Sequence, residues 1–272
     1  MFTMIAVGIS ILGALAVGIW AKENDSQLRE NKTETSVKKV FSILIKNDQL
    51  MWLACAYLLY GCGTYLTNSL QLYYFKFIVG DSAKYSLLGL VNVIIGFLAV
   101  CCFPSLAKKI KRRNLFVICI AIMVASLVLF FFAKQNLILV LVAAAMFGLP
   151  QPLVFLVVIM TMTDIVEYGQ LKLGHRDESL ILSVRPLIDK LAGALSSGMV
   201  GLTAIMAGMS GKATFASVTD SGRLIFKGFM FGLPIVCILI SLLIYRSKVT
   251  LTEEQHEEIV KTLQENWEDI NK

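Results

Sequence analysis

Residues 161–198 read TMTDIVEYGQLKLGHRDESLILSVRPLIDKLAGALSSG and place ten ionisable side chains at the edges of two apolar runs. Charge is costly inside an apolar run and usually functional there. Histidine ordinarily titrates at about 6.5, so His175 can exchange protons near neutrality. Glu178 follows three residues later and shares a face with it if the local chain is helical. That carboxylate could tune the histidine, or bind a cation or a sugar hydroxyl. A solvated loop with scattered charges is the competing reading. Arg185 and Asp189 are four apart, which suits a local ion pair. Lys190 lies one step further round and is expected to point into the bundle. Asp164, Glu167 and Arg176, with Arg185 and Asp189, read as a structural charge cluster.

A second set of polar residues carries no charge. The segment TYLTNSLQLYYFKF, residues 64–77, offers Tyr65, Thr67, Asn68, Gln71 and Tyr73. Hydrogen-bonding side chains beside flat rings suit a sugar, with Tyr65, Asn68 and Gln71 as candidate lining residues. Interfacial aromatics would read the same way. No HExxH, GxSxG or paired intramembrane aspartates occur, so the residues do not suggest an enzyme. The six cysteines, Cys55, Cys62, Cys101, Cys102, Cys119 and Cys237, form no CxxC or Cys/His cluster. They read as small core residues rather than metal ligands or a disulfide framework. No cofactor is implied by these residues.

The elements that hold these residues follow from hydropathy. Charged residues make up only 16% of the 272 residues, against about 25% in soluble domains. Seven charge-poor runs stand out, roughly Met4–Trp20, Leu50–Tyr74, Tyr85–Ala107, Leu115–Ala133, Leu137–Thr163, Leu180–Met206 and Gly228–Tyr245. Runs near 20 residues cross a bilayer as helices, because lipid offers the backbone no partners. The fold class is therefore an all-α integral membrane protein with about seven transmembrane helices. The segments after runs one, three, five and seven hold seventeen Lys and Arg, against six after the others. The first set is cytoplasmic by the positive-inside rule, which puts the N-terminus outside and the C-terminus inside. The net charge of +6 reflects this asymmetry and does not imply nucleic acid.

Residues 22–49 read as a polar cytoplasmic connector, 50–246 as a six-helix half-bundle and 247–272 as a cytoplasmic tail. In the tail, Thr250 and Glu253 have capping-box spacing, and Ile259, Leu263, Trp267 and Ile270 recur at helical spacing. An amphipathic helix packed under the bundle is expected. Pro150 and Pro152 should kink or break run five. Gly193, Ser197 and Gly201, with Ala194 and Gly198, form a small-residue stripe that suits close helix packing. The first run lacks the basic leader of a signal peptide. An N-out start suggests a chain that continues upstream.

The segment DIVEYGQLKLGHRDESLILSVRPLIDKLAGALSSG resembles loop 10–11 and helix XI of the glycoside–pentoside–hexuronide:cation symporters, the melibiose-carrier family of the major facilitator superfamily. The resemblance is strongest to its lactose/galactoside permease branch in lactic-acid bacteria. KNDQLMWLACAYLLYGCGTYLTNSLQLYYFKF resembles helix VII, and LAKKIKRRN the loop between helices VIII and IX. The resemblance implies helices VI–XII of a twelve-helix carrier in a bacterial plasma membrane, with residues 1–21 as helix VI. It implies transport of a galactoside such as lactose, by symport with a proton or sodium ion or by exchange for galactose. His175, Glu178, Lys172 and Lys190 match positions tied to coupling and sugar recognition. Helices I–V are absent from the chain, so the implied partner is an N-terminal half, beside sugar and lipid. A carrier of another glycoside and an autonomous seven-helix receptor or channel are the alternatives.

Overall fold

Backbone in lipid must satisfy its own hydrogen bonds, and every regular element described here is a helix. The structure is a computed structural model that describes residues 2–20, 45–174, 176–211 and 213–270. The helices are α1 (Phe2–Trp20), α2 (Asp48–Tyr74), α3 (Tyr85–Lys109), α4 (Arg112–Ala133), α5 (Leu137–Gly148), α6 (Pro150–Leu173), α7 (Glu178–Met206), α8 (Asp220–Lys227), α9 (Leu233–Lys248) and α10 (Glu253–Ile270). α1 belongs to a unit of its own, Met1–Ser36, and the rest to a second unit, Val37–Lys272. Most of the expected connector, residues 21–44, lies outside the described residues.

Five helical stretches among the described residues are long and apolar enough to cross a membrane: Asp48–Val79, Ser82–Lys109, Arg112–Ala133, Leu137–Leu173 and Asp220–Lys248. The other two expected spans are helical as well. α1 offers a shorter apolar stretch, Val7–Ile19. α7 has 29 residues but carries Arg185, Asp189 and Lys190, which lower its apolar character.

α2 is the central helix of the second unit, with α7 and α9 packed most heavily on it. Small residues let the backbones approach. A Cβ on Gly61 would meet the Ala192 Cβ of α7 at 2.9 Å, and one on Gly63 would meet Ile238 Cγ1 of α9 at 3.0 Å. Hydroxyls then bond across the seams, Ser196 to the Cys62 carbonyl at 3.2 Å and Ser241 to the Ala56 carbonyl at 2.7 Å. At the far end of α2, the Tyr74 ring meets Phe130 edge-on at 4.9 Å, and its hydroxyl donates to the Lys134 carbonyl at 2.8 Å.

Several sequence expectations change. Run five does break at Pro150: α5 ends at Gly148 and α6 starts at Pro150. However, α6 continues to Leu173, so Asp164, Glu167 and Lys172 sit on a helix and not in a loop. Nothing breaks the chain before Gly174, which takes φ +76° and ends the helix. Run seven starts earlier than expected, at Asp220, and passes through a π-turn at Gly228–Gly232. The stripe Gly193/Ser197/Gly201 is not the packing seam. No atom lies within 4 Å of a Cβ placed on Gly193, Gly198 or Gly201. The neighbouring face, Ala192 and Ser196, is the buried one. Spacing of four marks a stripe, and one residue of phase, about 100°, decides which stripe faces inward. Of the cysteines, only Cys119 is buried, and Cys55, Cys101 and Cys102 are exposed on the helix surfaces.

The tail is a helix, capped differently from expectation. The Thr252 hydroxyl accepts from the Gln255 N–H at 3.3 Å and the Gln255 side chain accepts from the Thr252 N–H at 3.2 Å. The reciprocal pair is therefore Thr252/Gln255, two residues later than Thr250/Glu253, and Glu253 is engaged by Arg112 instead. α10 packs on α6, with Ile259 and Leu263 half-buried.

Candidate functional site

The site is built on the face that α2 turns toward α6 and α7. Tyr57, Tyr60, Gly61, Thr64 and Tyr65 recur at three and four residues and line one side of a cavity of about 520 Å³. Gln151, Pro152 and Phe155 of α6 and Arg185 of α7 complete it. The Tyr57 and Tyr60 rings stack at 5.8 Å, and the Arg185 guanidinium lies 4.0 Å from the Phe155 centroid. Arg185 pairs with Asp189 at 2.9 Å, and the Tyr65 hydroxyl donates to the other Asp189 oxygen at 3.0 Å. The expected local ion pair is present, and it also faces a cavity. The Nε of Arg185 is buried with no hydrogen-bond partner in the protein.

A second cavity, of about 360 Å³, shares Gln151 and Pro152 with the first and is lined by Asn68, Gln71, Tyr85 and Asn92. Asn68 Nδ2 donates to Gln151 Oε1 at 3.1 Å, and Gln151 donates back to the Phe147 carbonyl at 3.2 Å. Amides, hydroxyls, stacked rings and one compensated ion pair are the groups that bind a neutral polyhydroxylated ligand, through bidentate hydrogen bonds and flat apolar faces.

The remaining charges gather at the end of the bundle that carries KKIKRR. Arg112 Nη2 meets Asp164 Oδ2 at 2.5 Å, and its backbone N–H and Nε both reach Glu253 Oε1, at 2.8 and 3.1 Å. His256 Nε2 lies 2.7 Å from Glu167 Oε2 and 3.7 Å from Asp164 Oδ1. Arg176 bonds Glu178 at 3.0 Å and Gln170 at 3.2 Å, and lies 3.9 Å from Glu167. Lys172 and Tyr168 both bond Asp48 at the start of α2. Asn47, fully buried, caps α2 and donates to the Ile165 carbonyl of α6 at 3.3 Å. Burial alone would raise the Glu253 carboxyl, but the Arg112 N–H and guanidinium outweigh it and hold it below the usual range. The Lys111 ammonium, 2.5 Å away, lowers exposed Glu254 to about 2, and Lys111 is raised in turn.

Seven of the ten charges of residues 161–198 thus separate into two groups. Tyr65, Asn68, Gln71, Arg185 and Asp189 meet at the cavities between α2, α6 and α7. Asp164, Glu167, Lys172, Arg176 and Glu178 meet at the KKIKRR end. Lys190 is exposed and lines neither cavity. His175 lies outside the described residues. Tyr57, Tyr60, Phe155 and His256 escaped the sequence reading. The first two continue the Tyr65 face at helical spacing and Phe155 stands four residues after Gln151, so that signal was available. His256 reaches its acids only through the fold of the tail.

A family model described as MFS/sugar transport protein matches residues 1–250. The raffinose carrier protein of Pediococcus pentosaceus is 49% identical over 267 residues, which cover 98% of this chain and 42% of that protein. The lactose permease of Lactobacillus delbrueckii subsp. bulgaricus is 51% identical over 263 residues, covering 97% and 42%. A lactose permease of Leuconostoc lactis is 39% identical over 97% of this chain. The chain spans about 42% of the length of these relatives.

Proposed function

This chain belongs to the MFS/sugar transport protein family, and from that premise we propose that it forms part of a secondary carrier for a galactoside. It is a multi-pass membrane protein. The relatives' names, lactose permease and raffinose carrier protein, both denote galactose-containing sugars, which supports the substrate class. The observation that carries the reading is Arg185, which is paired with Asp189 and lines one cavity with Tyr57, Tyr65, Phe155 and Gln151. A carrier needs a polar site that binds sugar between helices that can shift past one another.

Transport is by symport with a proton or sodium ion, or by exchange for galactose. His175, Glu178, Lys172 and Lys190 are the coupling residues of this proposal. The chain works with a segment equivalent to the part of the relatives that it does not cover. The KKIKRR end faces the cytoplasm, on the excess of Lys and Arg there.

The test is uptake of radiolabelled lactose and raffinose by cells expressing this chain, with and without the uncovered N-terminal segment of the Lactobacillus delbrueckii relative. Saturable uptake that needs both segments is expected. Uptake by this chain alone, or none with both correctly inserted, would overturn the proposal.

A further inference from the structure

Basic residues are scarce at the end of the bundle opposite KKIKRR, where the connecting segments hold six. Three of these, Lys134, Arg223 and Lys227, line a single cavity of about 490 Å³ between the end of α4 and α8. The acceptors available to them are few. Lys227 Nζ donates to the Phe131 carbonyl at 3.4 Å and lies 5.1 Å from that ring's centroid. Arg223 Nη2 donates to the Phe215 carbonyl at 2.9 Å, with its guanidinium 4.7 Å from the Phe215 ring. The one acid, Asp220, is fully exposed and stands 3.7 Å from Arg223 Nη1. Arg223 Nε is buried and has no partner among the described residues.

Lys134 adds a second, independent feature. It takes φ +48°, the one positive φ among described residues other than glycine. Such a conformation persists only where surrounding structure holds it, and it gathers at binding sites. The Tyr74 hydroxyl holds it here, through the Lys134 carbonyl. That posture ends α4, and the Lys134 side chain lines the same cavity as Lys227. Like charges brought together with donors unused are stabilised by an anion.

We infer that Lys134, Arg223 and Lys227 form a binding site for a phosphate group, whose fitting source is the phosphodiester of an anionic lipid. Two lysine ammoniums and a guanidinium match the oxygens of a phosphate, and Arg recognises them through parallel N–H groups. Apolar Leu224 lines the same cavity at 65% exposure, a surface for an acyl chain that a free phosphate would not need. Basic pockets between transmembrane helices bind lipid headgroups in this manner.

The experiment titrates the purified full chain in neutral detergent with short-chain phosphatidylglycerol, with phosphatidylcholine of the same chain length, and with inorganic phosphate, read by thermophoresis. Saturable binding of phosphatidylglycerol is expected, with phosphatidylcholine weaker. Arg223→Gln, Lys227→Gln and Lys134→Gln should each raise the half-saturating concentration about five-fold. Lys84→Gln, at the same end but outside the cavity, should leave it unchanged. Lys134 is exposed, so its variant reports on binding even if Arg223→Gln fails to fold. Inorganic phosphate that displaces the lipid at equal concentration identifies a free anion as the source and keeps the site. Equal binding of the two lipids, or three variants that bind like the parent, overturns it.

Discussion

Arg112 and Asp164 meet at 2.5 Å, with side chains only 12% and 10% exposed, and join the first residue of α4 to the second half of α6. The same guanidinium holds Glu253 at the start of α10. One cation therefore ties three helices at the KKIKRR end. Removing one partner leaves the other buried without its nearest counter-charge, which is the expensive way to break an ion pair. Asp164→Asn and Arg112→Gln should each destabilise the chain by about 3 kcal/mol. The double variant should cost less than the two singles together, since the interaction is lost only once. Unfolding titrations in mixed micelles measure all three, and strict additivity would show that the two residues are not coupled.

Arg185 and Asp189 make the same kind of pair at the cavity, with Tyr65 attached. In a carrier completed by the N-terminal segment, Asp189→Asn should reduce the initial rate of galactoside uptake about ten-fold or more, because loss of a charged hydrogen-bond partner costs about 1.5–3 kcal/mol. Tyr65→Phe should reduce it less. Neutralising both partners, Arg185→Gln with Asp189→Asn, should restore part of the loss if the stranded charge is the main defect. No recovery in the double variant points to direct ligand contact by Arg185.

The tail contact carries a pH signature. Glu253 and Glu254 both lie below their ordinary values in the folded chain, Glu254 at about 2. A carboxyl lowered by folding stabilises above its unfolded value, and the contribution is lost as pH falls through the folded value. α10 should therefore stay docked at pH 5 and loosen between about 4.5 and 2. Limited proteolysis of the tail at graded pH reads this. Glu254→Gln should weaken the acid dependence. The Lys111–Glu254 part, being fully exposed, should vanish in 1 M salt, where the screening length is about 3 Å. A tail equally protected at pH 3 and pH 7 contradicts the assignment.

Two glycine substitutions discriminate the packing seam from the stripe beside it. Gly61→Ala forces its methyl against Ala192 at 2.9 Å and should destabilise by about 1–3 kcal/mol. Gly193→Ala meets nothing within 4 Å and should stabilise α7 by up to about 1 kcal/mol, because alanine restricts the unfolded chain. Thermal unfolding of the two purified variants decides it, and the opposite signs would return the seam to Gly193.

Much of this molecule was legible from local sequence. Hydropathy located the seven apolar spans as helices, because an apolar run in lipid has no alternative to a helix, and missed α8 and the last ten residues of α6. Pro150 marked the break in run five by its missing N–H, and the spacing of Arg185 and Asp189 predicted their pairing. Failures came where the next determinant was not local. α6 outlasted its apolar run because its end depends on a breaker, Gly174, and not on hydropathy. The capping box settled on Thr252 and Gln255 because Arg112, 141 residues away in sequence, claimed Glu253.

The amino-acid sequence by itself determined the helices, their apolar boundaries, the bias of basic residues toward one end, and which residue types sit inside. Those follow from composition and spacing within about one helical turn. Tertiary structure alone decided that seven of the ten charges belong to two places, that Ala192 and not Gly193 faces α2, and that Lys134, Arg223 and Lys227 share one cavity. Each of these depends on the rotation of a helix about its axis and on partners tens of residues away. A shift of one residue turns a side chain by about 100° at almost no change in local propensity.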